Sequence, residues 1–109
     1  MIEIILGNSN KEKVLVYLTA RGEGYPREIA RYFITDLAPI QKQMEKLEFG
    51  GILYSKLIGR TRLYAFNPRY PFLKELLALL NKALEFYPEQ EKDKMLKNRR
   101  RPRKQGKPL

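Results

Sequence analysis

The chain of 109 residues contains no cysteine. That removes disulfides, thiolate metal sites and thiol nucleophiles together. It contains no histidine either, so the commonest general base at neutral pH and the commonest transition-metal ligand are both missing. None of the 12 acidic residues stands in a recognisable catalytic arrangement. The sequence therefore predicts no enzyme, no cofactor and no metal. Also lacking is any unbroken apolar run that approaches a membrane span. The opening "MIEIILG" is too short and wrongly flanked for a signal peptide. Together these features predict a cytoplasmic protein with no membrane partner.

What the chain does have is positive charge. It carries 22 Lys and Arg against 12 Asp and Glu, a net +10. Residues 1–87 hold 13 basic and 9 acidic side chains, hence +4, and residues 88–109 hold 9 basic and 3 acidic, hence +6. Such an excess draws a protein to polyanions, nucleic acid first and an anionic surface second. The length suits one domain with a modest core and a tail. The expected division is a domain over 1–87, whose last helix spans about 72–87, and a basic, disordered tail over 88–109.

Met1 to Leu6 is apolar apart from Glu3, and reads as an arm, an edge strand or part of a subunit contact. A first helix follows. Asn8 or Ser9 caps it, Glu12 is placed for a reciprocal bond, Val14, Leu15 and Leu18 share one face, and Gly22 and Gly24 stop it. The second helix, in "YPREIARYFI", starts at Pro26 and carries Ile29, Ala30 and Phe33. The break Ile34-Thr35-Asp36 leads to a third helix, "LAPIQKQMEKLEFGG". There Asp36 is the expected cap, Ile40, Met44 and Leu47 form one stripe, and Gly50-Gly51 end it. "ILYSKL" and "RLYAF" form a hairpin through Ile58-Gly59-Arg60-Thr61. From Phe72 helical spacing resumes with Leu73, Leu76, Leu77, Leu80 and Leu84. The order predicts a mainly α fold with a small β-hairpin wing: a winged helix-turn-helix with an added C-terminal helix.

Residues 8 to 87 resemble a winged helix-turn-helix domain of the ArsR/MarR-like superfamily of transcriptional regulators. The segments that carry the resemblance are "REIARYF", "IQKQMEKLEFGGIL" and "IGRTRLYAFNP". Gly59, Arg60, Arg62, Tyr64, Asn67 and Pro68 are similar to the wing and its exit. Leu47, Gly51, Ile52 and Leu53 are similar to the passage from recognition helix to first wing strand. The chain departs from the pattern at Ile34 and Thr35, where glycine and leucine are frequent, and at Ala38 and Pro39, where serine is frequent. The metal-sensing branch needs Cys or His ligands, so its chemistry does not carry over. The resemblance implies a DNA-binding regulator that forms a homodimer.

With Ile40, Met44 and Leu47 turned inward at about 100° per residue, the outward sector of the third helix holds Ala38, Lys42, Glu45, Lys46 and Phe49. Gln41 and Gln43 lie at its margins. A helix fits the major groove, where Gln pairs with adenine and Lys with guanine. The expected recognition helix is 37–49 and the expected wing 52–66. The expected DNA contacts are Arg27, Ala38, Gln41, Lys42, Lys46, Arg60, Thr61 and Arg62. Arg60 and Arg62 stand near a hairpin tip where packing asks for no cation, and a guanidinium there can fork onto phosphate or enter a narrow minor groove. The plainer explanations are a solvated charged face for the helix and protection of a β edge for the arginines. Tyr64 is expected in the core.

The leucines of the last helix cover more circumference than one small domain can bury. A dimer interface is therefore expected at Leu73, Leu76, Leu77, Leu80 and Leu84, with help from Ile2, Ile4 and Ile5. The stretch Lys97 to Lys107, with seven cations and no acid, is expected to add sequence-independent affinity. Two other functions suit the same sequence: a winged helix that binds another protein, and RNA binding through the basic tail.

Overall fold

In the computed structural model, which describes residues 1–97, the run Val14-Leu15-Val16-Tyr17-Leu18 is buried all the way round its helix. That helix, α2 (Ser9–Arg21), is the axis of the domain. It follows a single turn, α1 (Glu3–Leu6), and is packed by every later helix. A two-residue strand β1 (Glu23–Gly24) leads to α3 (Pro26–Tyr32) and α4 (Leu37–Phe49), and the hairpin β2 (Leu53–Ile58) and β3 (Thr61–Phe66) comes next. Helices α5 (Leu73–Glu85) and α6 (Glu89–Lys97) finish the described chain. The sheet order is β1-β3-β2, antiparallel throughout. No helix among the described residues is long and apolar enough to cross a membrane.

The N-terminus of α2 forms one residue earlier than a capping box would need. Asn8 is the cap, and its side chain accepts from the N–H groups of Asn10 and Lys11. That places Glu12 past the third helical position, so it does not make the expected reciprocal bond. Its carboxylate turns inward instead, accepting from the Ile2 N–H at 3.0 Å, the Met1 amino group at 3.1 Å and the Tyr87 hydroxyl at 2.6 Å. The apolar opening of the chain is thus pinned over α2 as a helical turn, with Ile2 and Leu6 against the core and Ile4 and Ile5 exposed.

Helices α3 and α4 end in the same way. After α3, the Thr35 N–H donates to Ala30 and the Ile34 N–H to Arg31; after α4, Ile52 donates to Leu47 and Gly51 to Glu48. Both are Schellman caps, which require a left-handed residue just past the helix. Gly51 supplies it with φ 83°, whereas Ile34 is forced to φ 52°. Asp36 stands at the N-cap of α4 as expected, but its side chain makes no capping bond. The expected stripe of Ile40, Met44 and Leu47 is buried. In the hairpin, Ile58 pairs with Thr61 across Gly59-Arg60. Gly59 alone takes positive φ there, at 63°, as a two-residue II′ turn asks of its first residue.

Three features depart from the sequence reading. Gly24 does not lie in a mere helix stop: β1 pairs with β3, Gly24 opposite Tyr64, and a Cβ on Gly24 would stand 3.0 Å from the Tyr17 ring. The boundary expected after Tyr87 falls inside folded chain, because Glu89–Lys97 is helical and Met95 is fully buried. Arg21 donates from Nε to the Met95 carbonyl and from Nη1 to the Tyr17 hydroxyl, while the Tyr32 hydroxyl donates to the Glu91 carbonyl, so α6 is tied to α2 and α3. Finally, Leu80 and Leu84 are buried within the single chain. They fill the α2–α5 contact and have no surface left for a second copy, while Leu73, Leu76 and Leu77 remain half-buried. The rest of the expected basic tail, 98–109, lies outside the described residues.

Candidate nucleic-acid interface

The wing stands against α4, and polar groups link them. The Ser55 hydroxyl donates to Glu48 of α4 at 2.8 Å and accepts from Arg62 Nη1 at 3.2 Å. Strand alternation puts Ser55, Leu57, Arg62 and Tyr64 on the sheet face toward α4. Past the wing, Asn67 clamps the exit: its Nδ2 donates to the Gly51 carbonyl and its backbone N–H to Ile52. Tyr64 is buried as expected. Burial, reinforced by Glu48 and Glu45, holds its phenol above the usual tyrosine range against the pull of Arg62.

Between wing and helices lies a groove of about 380 Å³. Arg27 from α3, Gln41 from α4, and Arg60, Thr61 and Arg62 from the hairpin all line it, with Glu45, Tyr25 and Leu57 beside them. Five of the eight expected contacts therefore meet in one place. The other three, Ala38, Lys42 and Lys46, line a second cleft on the opposite flank of α4, together with Asn8, Asn10, Pro39 and Gln43. All eight side chains are exposed. Among the described residues, Arg27, Lys42, Lys46 and Arg60 form no ion pair; those present engage the Met1 amino group, Lys82 and Lys92. Arg62 commits one N–H to Ser55 and keeps the rest of its fork.

The position of Gln43 is a correction. The sequence puts it at the margin of the outward sector, yet it is 7% exposed and its Oε1 has no hydrogen-bond partner. Helical periodicity alone puts it at the boundary, and its burial comes from the arrangement of neighbouring elements around α4, which a helical wheel cannot see. Asn8 and Asn10 were missed as cleft residues for the same reason, and so were Tyr25 and Leu57.

The architecture of α3, turn, α4 and paired hairpin defines a winged helix-turn-helix protein. Neither a family model nor a curated relative matches the sequence. Solved structures share the fold, among them the following. A double mutant of ZitR from Lactococcus lactis in apo form superposes with a TM-score of 0.54 at 17% identity, covering 88% of this chain and 81% of that one. The adhesin competence repressor AdcR from Streptococcus pyogenes gives 0.51 at 16% identity, covering 87% and 83%. At such identities the likeness is one of fold.

Proposed function

We propose that this protein is a transcriptional regulator that binds double-stranded DNA as a homodimer, with α4 in the major groove and the wing on the backbone or the adjacent minor groove. The observation that carries this reading is the convergence of Arg27, Gln41, Arg60 and Arg62 on one groove beside an exposed helix. Unpaired cations gathered at a surface cost the fold self-repulsion, which a polyanion relieves. A helix of about 10–12 Å diameter fits a major groove about 12 Å wide. One of the structures that share the fold is described as a repressor, which supports a regulatory role.

Support for the dimer comes from α5. Phe72 and Phe86 are 64% and 67% exposed, and with half-buried Leu79 they recur every seven residues along one flank of the helix. This row lies beside the expected Leu76, and a second copy would cover it. Binding to a random pool of duplexes, with selection of the retained fragments, tests the reading. Enrichment of one motif supports it. Retention of single-stranded RNA in preference to every duplex would favour binding through the basic tail, and retention of neither would favour a protein-binding module.

A further inference from the structure

The inner face of the wing begins in the core at Leu53 and Tyr64 and runs out to Leu57, which is 63% exposed. A leucine there adds nothing to the buried core, and the strand would form as well with threonine or valine. Leu57 pairs across the hairpin with Arg62, and such partners hold their Cβ atoms about 4.5–5.5 Å apart. Arg60 follows in the turn, and all three side chains line the groove of about 380 Å³ between the wing and α4. Tyr25 and Leu37 add apolar surface to the same groove. Apolar and cationic surface thus alternate along it. A sugar–phosphate strand alternates likewise, since each nucleotide carries one charged phosphate and one uncharged sugar.

The geometry points to Leu57 as the residue that selects deoxyribose over ribose. With α4 in the major groove and the wing in the adjacent minor groove, the backbone of one strand passes between them. Arg62 and Arg60 take its phosphates, and the intervening sugar rests on Leu57. The inference rests on the duplex-DNA reading and deepens it. The 2′ carbons line the minor groove, the side from which the wing approaches, and in RNA each bears a hydroxyl. Against Leu57 that hydroxyl loses water and gains no partner, whereas the C–H bonds of deoxyribose have no such need. The Ser55 hydroxyl on the same face is already committed, donating to Glu48 and accepting from Arg62. Glu45 on the α4 wall keeps phosphate toward the arginines and faces the major groove, where the amino group of cytosine can donate to it.

The test takes the full chain and the duplex selected from the random pool, with a single ribonucleotide placed at each backbone position in turn. Affinity for the parent should fall about tenfold at one or two positions per half-site, the cost of a buried hydroxyl without a partner, and little elsewhere. A 2′-fluoro nucleotide at the same position keeps the ribose-like pucker but has no O–H to satisfy, so it should bind nearly as DNA does. Leu57→Thr places a β-forming residue at an exposed position and should melt as the parent does. It offers the ribose a hydroxyl partner, so the ribonucleotide penalty should shrink several-fold, while Leu57→Val, still apolar, should retain it. No penalty at any position, a uniform penalty along both strands, a penalty that 2′-fluoro reproduces, or one that survives Leu57→Thr undiminished would each overturn the role of Leu57 and leave the DNA reading intact. A parent protein that binds no duplex would overturn both.

Discussion

The Tyr87 hydroxyl donates a 2.6 Å hydrogen bond to the buried carboxylate of Glu12, 75 residues earlier in the chain. One contact thereby joins the first turns of α2 to the end of α5. The same carboxylate accepts from the Ile2 N–H, so three segments meet on a single acidic side chain. Burial first, and then the bond to Glu12, push the Tyr87 phenol well above its ordinary range.

Tyr87→Phe should therefore lower stability at neutral pH by about 1–3 kcal/mol, the cost of leaving a buried acceptor unpaired. The pH dependence has a definite sign. Because the folded phenol titrates above the unfolded one, its contribution is complete below about pH 10 and fades as the pH rises further. The stability gap between parent and variant should shrink above that point. The slope should not exceed the roughly 1.4 kcal/mol per pH unit set by the release of one proton. Urea melts of both proteins at neutral and alkaline pH check this, and a gap that widens with pH would contradict it.

Ile34 and Gly51 occupy the same left-handed position in two equivalent helix caps. Only one of them is free of Cβ strain. A left-handed L-residue costs about 1–2 kcal/mol, and Ile34 is 92% exposed, so it recovers nothing by burial. Glycine gives back about 0.5–1 kcal/mol in unfolded-state entropy. Ile34→Gly should still stabilise the protein by about 0.5–1 kcal/mol, with Ile34→Asn giving part of the gain. Thermal or denaturant melting decides it. No gain from either variant would mean that the turn holds no strain at this residue.

The same pair shows how far the sequence could be taken. Gly50-Gly51 announced the end of α4, and Ile40, Met44 and Leu47 its inner face, because caps and helical spacing are local properties. The wing was legible through Gly59 between two short β-type runs. By contrast, β1 is two residues long and exists because Tyr64 and Ala65 of β3 offer it partners. Helix α6 has Met95 as its fully buried anchor, held by Arg21 from the far end of the chain, so its charged sequence reads as tail. Of the site, Arg60 and Arg62 were legible because hairpin packing does not require them. The split of Gln41 from Lys42 onto opposite flanks of α4, and the burial of Gln43, depend on where α2 and the wing stand.

The self-association proposed for α5 makes a prediction about charge. Phe72 and Phe86 lie on the exposed flank and not in the α2–α5 contact. Phe72→Lys with Phe86→Lys should leave the fold intact and convert a dimer to a monomer in equilibrium sedimentation at tens of micromolar, since a specific dimer needs about 800 Å² per partner and charges at its centre deplete that area. Leu80→Lys should unfold the chain instead, because that residue is fully buried. A parent protein already monomeric in the same measurement would remove the dimer from the proposal.

In the proposed complex Lys42 reads bases and Arg60 holds the backbone, and substitution at each separates the two roles. Lys42 stands on the exposed face of the N-terminal half of α4, the half that reaches base edges in this motif. Arg60 sits in the hairpin turn. Lys42→Ala should cost about 1–3 kcal/mol at the selected sequence, with discrimination relaxed at one or two base positions and little change on unrelated duplexes. Arg60→Ala should weaken every duplex alike and reduce the salt slope by about 1 if the guanidinium meets phosphate. If it enters a narrow A·T-rich minor groove instead, the loss will be larger on duplexes with such a tract beside the motif, because the negative potential is deepest there. Anisotropy titrations against a panel of flanking sequences distinguish the two placements. Equal affinity of parent and both variants on every duplex would show that neither face of this domain touches DNA.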